Sequence, residues 1–307
     1  MKKIINVIII VVINSTWVYS QDSLIVSDNE IKDEFVSEGA TDNSTVVTET
    51  FASIRVVNNH SIEMIPVRSL EFIVSHKFGD LAGSNGGVAT WFGLDNLEDV
   101  RIAFEYGLYK NMNAGYGRSK GIGHTTQVFD GYYKYSILQQ RTSKMPISLV
   151  FVSAVSIPYG PASTDSTAPN SYPTFLNRFI FTNQILIARK FSDRISLQIN
   201  LGYNHRNYVD YKDQNGLFFA GISGRFRMTK SFGFLFEYIH ILDRPSAITY
   251  TNHLAVGIEL LTGGHAFALT FANSTGMTEN LFIPYTNRNW LQGQFRFGFS
   301  INRRFKL

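Results

Sequence analysis

From about Arg68 to the end of the chain, apolar and polar residues alternate with a period of two. In RISLQINLGYN, Ile195, Leu197, Ile199, Leu201 and Tyr203 share one parity, and Ser196, Gln198, Asn200, Gly202 and Asn204 share the other. Successive side chains of a strand point to opposite faces, so this segment forms a strand with one apolar and one polar face. Phe295, Phe297, Phe299 and Ile301 are set in the same way against Gln294, Arg296, Gly298, Ser300 and Asn302. Leu254, Val256, Ile258 and Leu260 oppose Ala255, Gly257 and Glu259, and Phe267, Leu269 and Phe271 oppose Ala266, Ala268, Thr270 and Ala272.

About a dozen such segments are predicted, near 68–78, 100–108, 111–119, 128–138, 147–157, 177–189, 194–204, 217–228, 232–241, 253–262, 265–273 and 291–305. Most reach the roughly 9–11 residues that a tilted membrane strand needs, whereas strands of soluble proteins centre on about 5–6. The connections alternate in length. Short ones fall at Tyr109-Lys110-Asn111, at Lys190 to Arg194, at Thr229-Lys230-Ser231 and at Thr262 to His265, with 139–146 somewhat longer. Long ones fall at 79–99, 119–128, 158–176, 205–216, 242–252 and 274–290. Outer-membrane barrels have short periplasmic turns and long external loops, and an even strand number puts both ends on one side. The expected fold is therefore all-β: an antiparallel, up-and-down transmembrane β-barrel of about twelve strands over 68–307. Phe305 and Leu307 continue the outward parity of the last segment; barrel assembly machinery reads an aromatic near the C-terminus, and Phe305 matches this imperfectly, two residues short of the last position.

Upstream of the barrel the pattern changes three times. Lys2 and Lys3 precede an apolar run from Ile4 to Ile13, and Val18-Tyr19-Ser20 offers small-residue cleavage after Ser20. This is the layout of a cleaved signal peptide over 1–20; the run falls short of the roughly 20 apolar residues that span a bilayer. Residues 21–50 are acidic and rich in Ser and Thr, with Asp22, Asp28, Glu30, Asp33, Glu34, Glu38, Asp42 and Glu49 against Lys32. Such a stretch buries too little apolar surface to offset its ordering entropy, and is expected to be a disordered periplasmic leader. Residues 51–67 are more apolar, and read as a periplasmic lead-in or a segment tucked into the barrel mouth.

Composition adds exclusions. The chain has no Cys, so neither a lipoprotein anchor nor a disulfide framework holds it. Its formal charge is +4, of which Lys2 and Lys3 contribute two; nucleic acid requires a concentrated basic face and is not an expected partner. Aromatic residues make up 14%, mostly Phe and Tyr, which suits strands and membrane interfaces. The expected partners are outer-membrane lipid, the assembly machinery and a small solute.

The runs EFIVSHKFGDLAG (71–83), FGLDNLEDVRIAFEYGL (92–108), GRSKG (117–121), IARKFSDRISLQ (187–198), HRNYV (205–209) and TGGHAFALTFANSTGMTENLFIP (262–284) resemble a domain-of-unknown-function family, number 5777. The resemblance covers roughly 51–307. It implies an outer-membrane β-barrel of Bacteroidota, and implies no activity, ligand or catalytic residue.

Inward parity carries Glu71, Lys77, Arg101, Glu105, Lys134, Arg225, Arg227, Glu237, Glu259, Arg296 and Arg304. One reading is a ladder of ion pairs that satisfies the barrel interior, because a stranded buried charge is strongly destabilising; the other is a solute path. Mixed signs argue against strong ion selectivity. Trp91, Tyr106, Tyr203, Tyr238 and Trp290 lie near predicted strand ends, where an aromatic girdle sits at headgroup level. Histidines at 60, 76, 124, 205, 240, 253 and 265 lack metal-ligand spacing, so no metal and no cofactor are expected. Asn58, His60 and Ser61 contain hydrolase residue types but precede the strands. The Gly221-Ile222-Ser223-Gly224 run lacks the register of a nucleophile elbow. Gly115, Gly117, Gly121 and Gly123 lack the helix that a phosphate loop requires. The sequence therefore points to a channel or porin for small hydrophilic solutes. A non-transporting barrel that scaffolds a periplasmic or surface complex is the alternative, an outer-membrane hydrolase the third; no enzyme is expected.

Overall fold

The computed structural model describes residues 45–245 and 249–307. The expected signal peptide and residues 21–44 of the expected leader lie outside the described residues. Twelve strands follow in order: β1 (Ser69–Asp80), β2 (Leu97–Tyr109), β3 (Met112–Ile122), β4 (Thr125–Leu138), β5 (Ser148–Pro158), β6 (Ile180–Lys190), β7 (Ile195–Arg206), β8 (Gly216–Arg227), β9 (Phe232–Ile241), β10 (His253–Thr262), β11 (His265–Ala272) and β12 (Arg296–Lys306). Each pairs antiparallel with its sequence neighbours, and β1 pairs with β12, so the sheet closes into a barrel. Closure removes the free edges that an open sheet would expose.

The pairing of Ser69 with Lys306 brings the start of β1 and the end of β12 to one rim. The short turns lie at this turn rim, and the long connections lie at the opposite loop rim. One expected long loop is absent. Instead of a loop over 119–128, β3 and β4 stay paired to Ile122 and Thr125 and turn through Gly123-His124. Gly121 and Gly123 take positive φ there, at 84° and 51°, a region that costs glycine little.

Outward parity is a belt of large apolar residues. Ile199 is 49% and Leu201 48% exposed, with Ile102, Phe104, Ile222, Phe234, Val256 and Leu269 similarly open. A continuous patch of this kind calls for an apolar surrounding. Among the described residues no helix is long and apolar enough to cross a membrane.

The inward face is polar over β1 to β3 and β10 to β12, as the alternation predicts. It is apolar over much of β5, β6, β8 and β9, where Val150, Val152, Leu186, Leu217, Phe219, Leu235 and Ile239 are buried. Two insertions bury them. From the turn rim, residues 51–63 enter as a hairpin: Val56 N–H donates to Asn59 O at 2.9 Å, and Ser61 N–H to Ile54 O at 2.9 Å. From the loop rim, the 273–295 connection folds inward instead of standing as an external loop. It carries α1 (Glu279–Tyr285) and brings Phe282 and Ile283 onto Leu217, Phe219, Ile239 and Ile241. Phe51 and Val56 of the hairpin pack with Ala188 and Leu235. Where the chain leaves the lumen, Gly107 makes room: a Cβ there would lie 2.1 Å from Pro66 O.

Candidate functional site: the filled lumen

The eleven inward charges fall into distinct settings. Glu71 accepts from Arg304 and Asn302, Arg101 forks onto Asp130, Arg225 pairs with Glu259, and Arg296 reaches Asp80 at 3.0 Å. Arg227 and Arg304 are at the turn rim, where Arg227 meets Glu49 at 3.2 Å. These groups form a ladder along the wall.

Glu105, Lys134 and Glu237 grip the hairpin. Lys134 Nζ donates to Glu63 O at 2.6 Å and to Ile54 O at 3.4 Å. Glu105 accepts from the Tyr132 hydroxyl and lies 3.8 Å from Arg55. Glu237 is fully buried, and its carboxylate receives the N–H groups of Val57, Asn58 and Asn59 at 3.1–3.3 Å. His253 Nε2 lies 2.9 Å from Glu237 Oε1. The tip of the hairpin thus presents a row of amides to one buried anion, the reverse of the usual backbone nest for a ligand. Asn59 exchanges side-chain hydrogen bonds with Gln184, and Gln198 Nε2 donates to His60 O at 2.8 Å.

The two insertions meet at Glu279. Its Oε2 accepts from Arg55 Nη1 at 3.3 Å, and its Oε1 lies 3.0 Å from His60 Nε2. Burial and the Arg55 guanidinium push His60 down to about 4, against the pull of Glu279. Burial opposes ionisation of Glu279, yet His60 and Arg55 outweigh it and hold the carboxyl well below the usual carboxylate range. Asn280 ties α1 to the wall through Thr182 and through Ser156 Oγ at 2.8 Å.

Lys77 is set apart. It is buried, and its Nζ donates to Ser274 Oγ at 2.9 Å, Ser274 O at 3.1 Å and Gly276 O at 3.2 Å.

The aromatic candidates lie on the outer surface or the loop rim. Tyr106, Tyr203 and Tyr238 have outward parity, Tyr106 near the turn rim and the other two near the loop rim. Trp91 is 64% exposed in the 81–96 connection. Trp290 stacks on Phe295 with ring centroids 4.4 Å apart, and its Nε1 donates to Leu254 O.

Parity alone missed the hairpin residues Arg55, Asn59 and His60, and missed Glu279 with the apolar socket. The hydrolase residue types disperse: Ser61 Oγ donates to Ser53 O at 2.6 Å, while His60 faces Glu279 and Tyr132. A signal for the socket was present. SLVFVSAVSIP in β5 and FGFLFEYIHI in β9 are apolar on both parities, the mark of strands covered on both faces.

Residues 51–305 match the family described as "Membrane bound beta barrel domain" (DUF5777). No match was found among curated proteins. Solved structures similar to this chain include the NanC porin (TM-score 0.46, 8% identity, 78% of this chain and 100% of that one) and the KdgM porin (0.46, 7%, 77% and 99%). An outer membrane channel from Pseudomonas putida F1 is also similar (0.48, 12%, 81% and 100%).

Proposed function

We propose, from the premise that the chain belongs to the membrane bound beta barrel domain family (DUF5777), that it is an outer-membrane channel for small hydrophilic solutes, shut in this state by the hairpin and α1. The turn rim faces the periplasm and the loop rim faces outward. Export uses a cleaved signal peptide over residues 1–20, and the assembly machinery inserts the barrel into outer-membrane lipid. Outward Tyr106, Tyr203 and Tyr238, with Trp91 and Trp290, take the girdle role.

One observation carries the reading: the hairpin is held much as a polar ligand would be held. Its amides rest on Glu237 and its carbonyls on Lys134 and Gln198, contacts that water or solute can replace when the segment leaves. A barrel meant to stay solid would do as well with an apolar interior, since a buried ion pair adds little net stability over one.

Filling from both rims favours a second reading, a non-transporting barrel that scaffolds a complex through its leader and loops. Planar-bilayer recording separates the two. Intact protein is expected to give brief, rare openings, and a chain lacking residues 51–63 long-lived ones. Silence in both, with no swelling of liposomes in any small solute, would reject the channel. A co-purifying partner lost on deletion of 22–50 would then support the scaffold.

A further inference from the structure

The lumen is filled less completely on one side, where the hairpin touches the wall through Ile54 on Ile73 and through Ser53 Oγ, which accepts from Asn302. Among larger inward residues, β1, β11 and β12 carry small ones at Ser75, Ala266, Ala268 and Ser300, and a crevice runs between these and Ala52 and Ser53 of the hairpin. The crevice continues past Ala52, Ala266 and Asn302 to the turn rim, where Gly264 and Arg304 border its mouth. At the other end a vestibule opens to the loop rim, lined by Glu98, His124, Thr275, Tyr285, Arg288 and Arg296. Met277 lines the crevice and Thr275 lines the vestibule. The segment Ser274–Met277 thus lies between the crevice and the vestibule.

Lys77 holds that segment by three hydrogen bonds, two to carbonyls and one to a hydroxyl. The charges around it are matched in a particular way. Arg101 is taken by Asp130, Glu259 by Arg225, and Asp80 by Arg296 and Arg288. Asp99, opposite Lys77 in register, accepts from the Gly121 amide at 3.0 Å through Oδ1, its buried Oδ2 has no hydrogen-bond partner, and it lines neither cavity. Glu237 is occupied by the hairpin tip and His253. When Ser274–Met277 swings away, Lys77 loses all three oxygen partners, and the Asp99 carboxylate across the β1–β2 pair is left as the opposite charge beside it. A buried ammonium stripped of its hydrogen-bond acceptors is unfavourable, so the open state favours a solute that brings oxygens of opposite charge.

We propose that solute passes along the β1 and β10 to β12 side, that Ser274–Met277 is the gate, and that Lys77 coordinates small oxyanions such as short-chain carboxylates at the gate. The inference rests on the channel reading and names its path and solute class.

The test is the reversal potential of the full-length barrel in planar bilayers under a gradient of potassium acetate. Intact protein is expected to favour acetate over potassium. Lys77→Gln is expected to lower the anion-to-cation permeability ratio by about fivefold, the loss of one fixed charge at a constriction, and Lys77→Arg to keep most of it. Ala268→Phe, which fills the crevice and keeps the Lys77 charge, is expected to cut conductance and leave the ratio in place. Heat-modifiable gel migration checks that each variant is folded. If Lys77→Gln conducts with an unchanged ratio, or Ala268→Phe conducts fully, the path and gate assignment fails while the channel stands. If neither intact protein nor any variant conducts, the channel reading fails and takes this inference with it.

Discussion

Two parts of the lumen wall face each other with different chemistry. On β5, β6, β8 and β9 the inward side chains include Val150, Val152, Leu186, Leu217, Phe219, Leu235 and Ile239, and the insertions rest there as a small protein core. On β1 and β10 to β12 the inward side chains mix small ones (Ser75, Gly257, Ala266, Ala268, Gly298 and Ser300) with charged ones (Glu71, Lys77, Glu259 and Arg296), the hairpin touches the wall at Ile73 and Asn302, and a crevice remains. Removing an insertion from the first wall exposes apolar surface to water; moving past the second wall exposes polar and small groups that already tolerate it. An opening that keeps the insertions docked on the first side is therefore easier along the second, and full departure of the hairpin is the costlier one.

The largest effect expected from this contrast is at Phe282. It is fully buried among Leu217, Phe219, Ile239 and Ile241. Phe282→Ala removes most of that contact and leaves a cavity, a change worth about 3–5 kcal/mol. A lower denaturant midpoint and faster hydrogen exchange in α1 would follow. No change in either would mean that the apolar wall does not hold the insertion.

Acid attacks the same assembly at its polar centre. The buried, neutral His60 ring is protonated in the folded state only near pH 4, whereas a free imidazole takes its proton near 6.5. The unfolded or undocked state therefore binds more protons between those values, and docking weakens as pH falls from about 6.5 to about 4. Glu279, held ionised below its usual range, works in the same direction, its contribution being lost at still lower pH. The depression of His60 corresponds to about 3 kcal/mol at one proton per site. Proteolysis after Arg55, followed against pH, is expected to accelerate through this window, and His60→Gln to flatten the profile. Cleavage independent of pH in the parent protein would refute the assignment.

Much of the barrel was legible because a membrane imposes period two on nearly every strand. Ile199 had to face lipid and Asn200 the interior, and the partners of both in β6 and β8 repeat the rule. The filling was harder to read. FASIRVVNNHSIE has neither the length nor the periodicity of an element, and its fold depends on Glu237, about 180 residues away in sequence. Leu281, Phe282 and Ile283, three apolar residues in a row inside an expected external loop, did signal burial, but not its site. The loop predicted over 119–128 failed for a local reason: Gly121 and Gly123 let the β3–β4 ladder turn within two residues, so polar residues that resembled a loop are paired.

A smaller effect is expected where the hairpin tip meets the wall. Glu237→Gln keeps the shape of the side chain but removes the charge that three backbone N–H groups share. Hydrogen bonds to a charged group contribute about 1.5–3 kcal/mol, against about 1 for a neutral one, so the hairpin is expected to lose about 2 kcal/mol of docking free energy. The apolar contacts of Phe51 and Val56 with Ala188 and Leu235 remain, so the hairpin should loosen at its tip and stay seated at its base. Hydrogen exchange resolves the two ends: protection is expected to fall at Val57 to Asn59 and to persist at Phe51. Equal loss at both ends would show that Glu237, and not the apolar wall, seats the whole insertion, and the contrast between the two sides of the lumen would no longer explain which one opens.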